Sequence, residues 1–314
     1  MKKILPIICI LLILSMFTGC TPPGVHSTAD YTIVASCYPV YSVALGIVDG
    51  IEGIKLVNMS EQNPGCLHDY TLTSEDMKNL ADCDMFLVSG AGMEPFLDEI
   101  KTSLPNINIK DASVGSNIID GNSHYWLSVK NVIEEAQTIY DAIVAVLPGK
   151  ADEMAKNYNS FMDVLYSLDM DTELKNVKAI SFHEGFDYLL EGTDAEIIAT
   201  IESDSGVEPG AKQISELCDR AISEHVNAIL VPSDYSGTAA ETISKETGVK
   251  IYILDPVTDG DDNVDGYITA MRFNFDQLAN IAAAVQGEEG TTAEEGTTAF
   301  TEEGTTERAT NGVS

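Results

Sequence analysis

From about residue 29 to residue 287, short apolar runs alternate with stretches whose apolar positions recur every three or four residues. The short runs predict strands over 31–35, 54–57, 85–88, 177–182, 195–201, 228–231 and 250–254. The helical spacing predicts helices over 43–48, 95–100, 209–224, 238–247 and 264–285. A further helix starts at Thr73, whose spacing to Asp76 is that of a capping pair, and Gly248 closes the helix before it. Strands that alternate with helices imply parallel α/β layers. The stretches 129–147 and 151–169 interrupt this alternation, because both are purely helical in period and they meet at Pro148-Gly149. Two α/β lobes separated by helices follow: an N-terminal lobe over 30–149, a connecting helix over 150–174 and a C-terminal lobe over 175–286. One larger doubly wound domain with a helical excursion is the alternative.

The two ends of the chain break the pattern. Lys2 and Lys3 precede an almost wholly apolar run over 4–17, and Thr18-Gly19-Cys20 follows. A basic start, a short apolar core and small residues before a cleavage point make an export signal over 1–19. The run is shorter than the roughly 20 residues that a membrane span needs. Cys20 after glycine matches a bacterial lipobox, which predicts acylation of Cys20 and a flexible anchored segment over 20–29. Cleavage without lipid is the alternative. At the other end, Glu-Glu-Gly-Thr-Thr occurs at 288–292, 294–298 and 302–306. This acidic segment has too little apolar surface to offset its ordering entropy, so 287–314 is expected to be a disordered tail.

The formal charge of −33 becomes more negative once the leader and its two lysines are removed. A nucleic-acid partner is excluded, since phosphate neutralisation needs a basic face. Cys37, Cys66, Cys83 and Cys218 remain after the leader and Cys20 are set aside. Four cysteines allow three pairings, export permits disulfides, and free thiols are the alternative.

Of the five histidines, His26 falls in the segment after Cys20 and His225 at a helix end. His68 lies in the loop Asn63-Pro-Gly-Cys-Leu-His-Asp-Tyr70, and His124 in Gly121-Asn-Ser-His-Tyr-Trp-Leu127 before a long helix. His183 follows the strand 177–182 directly, and Asp255 follows 250–254. Ligands of open α/β sheets bind beyond the carboxyl ends of the strands. Imidazoles and a carboxylate are first-rank ligands for zinc and suit other divalent transition metals. Each histidine alone could equally be a hydrogen-bonded structural residue, and the spacing matches no local zinc motif.

An ordered set of phrases resembles the substrate-binding proteins of zinc and manganese ABC importers. Pro64-Gly-Cys-Leu-His-Asp-Tyr-Thr-Leu-Thr73 resembles that family's PG-x-x-PH-x-Y segment, and His124-Tyr-Trp-Leu127 its H-x-WLDP element. Phe182-His-Glu-Gly-Phe186 is similar to FHDAY, and Ser89-Gly-Ala-Gly-Met-Glu-Pro-Phe96 to NG-x-x-x-EPW. Ala35-Ser-Cys-Tyr-Pro-Val-Tyr41, Leu254-Asp-Pro256 and Met271-Arg-Phe-Asn274 continue the likeness over about 31–285. The resemblance implies two α/β lobes joined by a long rigid helix, with a metal site in the cleft between them. It implies His68, His124, His183 and Asp255 as ligands, with Glu184 and Cys66 as candidate neighbours of that set. Cys66 could also be inert, a partner of Cys37 or a ligand itself.

The resemblance further implies Zn2+ or Mn2+ as cargo, an ABC permease with its ATPase as partners, and a monomer held by Cys20 on the outer face of the bacterial cytoplasmic membrane. His183, where manganese-leaning members have glutamate, favours zinc. The His-rich loop of many zinc-specific members is absent between His68 and His124, and Leu67 replaces the usual proline. Four protein ligands close the coordination shell, which favours carriage over catalysis. A metal-dependent surface adhesin and an extracellular zinc hydrolase are the competing readings.

Overall fold

A computed structural model describes residues 31–62, 65, 67–168, 173–201 and 209–298, with side chains as far as Gly287 and excepting Asp69. The leader, Cys20, His26, Cys66 and the end of the tail lie outside the described residues. Two four-stranded parallel sheets carry the fold. The first has the order β2-β1-β3-β4, built from β1 (Tyr31–Ala35), β2 (Ile54–Asn58), β3 (Met85–Val88) and β4 (Ile109–Asp111). The second repeats that winding as β6-β5-β7-β8, from β5 (Lys178–Ser181), β6 (Glu196–Thr200), β7 (Ala228–Pro232) and β8 (Ile251–Leu254). In each sheet the connection reverses direction around the first strand. That places a crevice at the carboxyl ends of β1 and β3, and another at those of β5 and β7.

Seven expected strands form, with edges shifted by a residue or two. The eighth, β4, is three residues long and carries Lys110 and Asp111, so it lacks the apolar run that marks a buried strand. The first helix, α1 (Tyr38–Val48), begins five residues before its expected start at Val43, with Pro39 in its first turn. Proline is favoured there because its missing N–H is unpaired in any helix.

The next helices are α2 (Ser74–Asp82), α3 (Leu97–Ser103), α4 (Val129–Val146) and α5 (Ala151–Ser167). The expected connector, α5, packs against α1 and α4 before the chain reaches β5. The contact with α1 is close, since a Cβ on Gly46 would stand 2.8 Å from the ring of Phe161. In the second half follow α6 (Phe186–Leu189), α7 (Ala211–Ser223), α8 (Ala239–Thr247) and α9 (Gly266–Thr298). Gly248 at φ 78° ends α8 in the left-handed conformation that glycine adopts without strain. The last helix runs on to Thr298, past the expected boundary at 286, so the first repeats prolong the backbone of α9. Once a packed segment has nucleated a helix, each added residue costs little. No described helix is long and apolar enough to cross a membrane.

The capping pair at α2 forms as its spacing predicts. Thr73 Oγ1 accepts from the Asp76 N–H at 3.1 Å, and Asp76 Oδ2 accepts from the Thr73 N–H at 2.8 Å and the Tyr70 hydroxyl at 3.0 Å. Thr73→Ala should cost about 1 kcal/mol in urea denaturation. An unchanged midpoint would mean that the cap does not hold this turn.

Apolar residues of both halves belong to one cluster. Tyr125, Trp126 and Leu127 pack in it with Phe186, Leu254, Val257, Tyr267 and Met271. The helix α9 contacts β8 in one lobe and α1 in the other, so it spans the two as well.

Candidate metal centre

His68 sits in a single 3-10 turn, Leu67–Asp69, after β2. His124 immediately precedes a second such turn, Tyr125–Leu127, which is wholly buried. His183 lies two residues beyond β5, at the crevice of the second sheet. The structure brings these three imidazoles together. Ring centroids are 5.3 Å apart for His68 and His124 and 4.6 Å for His124 and His183. His124 and His183 are buried, and His68 is partly exposed. Burial first, then the neighbouring His124 and His68, holds His183 well below the usual imidazole range, so it is neutral at pH 7.

Glu184 faces the same cluster. Its Oε1 stands 3.2 Å from His124 Nδ1 and 3.7 Å from His68 Nε2. One ligand atom from each of His68, His124 and Glu184 falls within 4.8 Å of the others, the spread a single cation can span. The His124 hydrogen bond is the first cause that keeps the Glu184 carboxyl below its ordinary range. His68 Nε2 is a buried nitrogen without a hydrogen-bond partner. A buried polar atom left so costs about 1–3 kcal/mol, which a bound cation would recover.

Asp255 is placed differently. It follows β8 as expected, but its Oδ1 accepts the Val257 N–H at 2.7 Å. Its backbone is tied to Asn274, with Asp255 N–H donating to Oδ1 at 2.7 Å and Asn274 Nδ2 donating to the Asp255 carbonyl at 2.9 Å. Burial raises its carboxyl, and the charges that add to the rise are those of Asp259 and Asp234. Neither Asp255 nor His183 belongs to the 4.8 Å group. Trp126 Nε1 donates to the Pro256 carbonyl at 3.0 Å, which fixes the segment after Asp255 against the turn that carries His124.

The sequence singled out Glu184 as a neighbour of the ligands and passed over Asn122. Asn122 Oδ1 accepts from the His124 N–H at 3.0 Å and contacts His124 Nδ1 at 2.9 Å. A short polar side chain two residues before a histidine, in a glycine-led turn, is the available signal. Cys37 is a free, buried thiol, so it is not half of the Cys37–Cys66 bridge that the sequence allowed. Burial pushes its thiol far above the ordinary range. Cys83 and Cys218 are also free thiols.

Two parallel α/β lobes meeting at a histidine cluster, with long helices alongside, define a two-lobed substrate-binding protein. The model of the family described as zinc-uptake complex component A, periplasmic, matches residues 33–281, and the chain belongs to that family. The zinc-binding protein AdcA of Streptococcus pyogenes is 24% identical over 327 residues, covering 92% of this chain and 63% of AdcA. This chain thus spans less than two thirds of the length of that relative. The high-affinity zinc uptake system protein ZnuA of Bacillus subtilis is 25% identical over 303 residues, covering 86% of this chain and 93% of ZnuA. Among solved structures, FpvC of Pseudomonas aeruginosa in complex with Ni2+ superposes with a TM-score of 0.72 at 25% identity, covering 81% of this chain and 97% of that one.

Proposed function

We propose that this chain is an extracytoplasmic receptor that captures a divalent transition metal, zinc before manganese, and delivers it to an ABC importer. The observation that carries the reading is the convergence of His68, His124 and His183 from both lobes, with His68 Nε2 buried and lacking a hydrogen bond. Three imidazole donors with carboxylates at hand suit zinc better than the oxygen-rich sites that favour manganese. The relatives named for zinc binding and zinc uptake support the same cargo. Acylated Cys20 would tether the molecule, as a monomer, to the outer face of the cytoplasmic membrane within reach of a permease and its ATPase.

In this reading His68, His124, His183 and Asp255 form the ligand set. Two of them must adjust. His183 Nδ1 accepts the Gly185 N–H at 3.0 Å, so the neutral ring carries its proton on Nε2 and must release the Gly185 N–H to offer the Nδ1 lone pair. Asp255 must release the Val257 N–H. Domain position and metal occupancy are coupled because the ligands come from both lobes, and a permease can sense the result. The test is import. Zinc-limited cells lacking the gene should recover zinc accumulation with the wild-type chain, and not with a His68→Ala, His124→Ala, His183→Ala triple variant. Equal accumulation with both chains would refute the reading.

A further inference from the structure

We propose that Asn122 is the positioning residue that sets the tautomer of His124, with its amide held in place by the opposite lobe. The inference rests on the metal-receptor reading for its purpose, while its geometry stands independently. The orientation of the Asn122 amide is fixed twice by backbone. Its Nδ2 donates to the Glu184 carbonyl at 2.8 Å, across the junction between the lobes. Its Oδ1 accepts from the His124 N–H at 3.0 Å. Exchanging oxygen and nitrogen would place donor against donor and acceptor against acceptor, so the oxygen faces the imidazole.

With Oδ1 2.9 Å from His124 Nδ1, that nitrogen must carry the proton. Glu184 Oε1, at 3.2 Å, is a second acceptor on the same nitrogen. In the Nδ1–H tautomer the lone pair of His124 lies on Nε2. The partner on the remote nitrogen of a ligating histidine fixes both its tautomer and the direction of its ring.

The Asn122 turn is pinned to the C-terminal half by two further bonds. Tyr188 donates its hydroxyl proton to the Asn122 carbonyl at 2.6 Å and accepts the Ile119 N–H at 3.0 Å. The approach is close enough that a Cβ on Gly185 would stand 2.8 Å from His124 Cβ. Docking of the lobes thus supplies the carbonyl that orients Asn122, and Asn122 in turn orients a ligand of the first lobe.

Two substitutions separate acceptor from fold. Asn122→Leu removes both amide functions at similar volume, and Asn122→Asp keeps the acceptor while losing the donor to the Glu184 carbonyl. Imidazole 15N NMR of the metal-free protein should report Nδ1–H for His124 in the wild type and in Asn122→Asp, and a mixture of tautomers in Asn122→Leu. Zinc affinity by chelator competition should fall about 10–100-fold in Asn122→Leu, the usual effect of losing such a partner, and be largely retained in Asn122→Asp. An unchanged His124 tautomer in Asn122→Leu would overturn the proposal and hand the role to Glu184. A mixture in Asn122→Asp equal to that in Asn122→Leu would also overturn it. If the wild type failed to bind zinc, the receptor reading would fall while the NMR comparison still decided the role of Asn122.

Discussion

His124→Ala is expected to lower zinc affinity by about 100-fold, the largest effect of any single histidine. Protein zinc sites with four ligands reach apparent binding free energies of about 10–16 kcal/mol, so one ligand accounts for about 3 kcal/mol, or about two orders of magnitude. His124 is central for a geometric reason. Its ring touches both His68 and His183, and it is the ring to which Asn122 and Glu184 are bonded. Its removal also vacates volume beside Trp126, whose ring centroid lies 5.1 Å away. Thermal unfolding of the metal-free variant checks that the turn survives, and competition against a chromophoric chelator at pH 7.5 measures the loss. An affinity within about threefold of wild type would remove His124 from the ligand set.

The second large effect is on stability and lies away from the cluster. Glu135, on α4, is fully buried and neither carboxyl oxygen has a hydrogen-bond partner. The nearby Tyr125 hydroxyl gives its one proton to the Ser89 carbonyl at 2.9 Å. Burial pushes the Glu135 carboxyl up to about 8, against about 4.3 for an ordinary glutamate. A carboxyl raised in this way keeps its proton in the folded state at pH values where the unfolded chain has released it. Its contribution to stability is complete below about pH 4.3 and is lost as pH rises towards about 8. Between pH 5 and pH 8 the wild type should lose about 3 kcal/mol on this account. Glu135→Gln carries no titrating proton, so its urea unfolding free energy should lack this fall and exceed that of the wild type at pH 8. Parallel pH profiles for the two proteins would show that Glu135 is not the buried acid described here.

Much of this architecture was legible from period and punctuation. The apolar runs located seven strands because those strands are short and buried, and Thr73, Pro148-Gly149 and Gly248 marked the ends of helices. What the runs could not reveal was β4, whose three residues gain their pairing from the neighbouring β3 and not from their own apolarity. The four-residue helix α6 escaped for a similar reason, being shorter than two turns. The end of α9 was misplaced because composition marks where packing stops and not where hydrogen-bonded backbone stops.

For the site, three histidines far apart in the chain were recognisable as a group from the resemblance alone. Local spacing could not have joined them, since they converge through tertiary packing. The facing carboxylate of Glu184 and the amide of Asn122 act across the junction between the lobes, and no one-dimensional pattern encodes that juxtaposition. Asp255 was located correctly on its strand end, but its carboxylate is engaged by the backbone two residues on, a local bond that strand periodicity does not report.

The apolar cluster shared by both halves limits how far they can part. Trp126, Phe186 and Tyr267 are all in its interior, and wetting even two such rings would expose about 300–500 Å2, at about 25 cal/mol per Å2 a cost near the whole stability of a typical domain. A wide jaw-like gape is therefore out of reach. In the proposed receptor, filled and empty forms would differ by small adjustments of turns and rings at the rim, and release of the metal would pry loose a few side chains without swinging open a hinge.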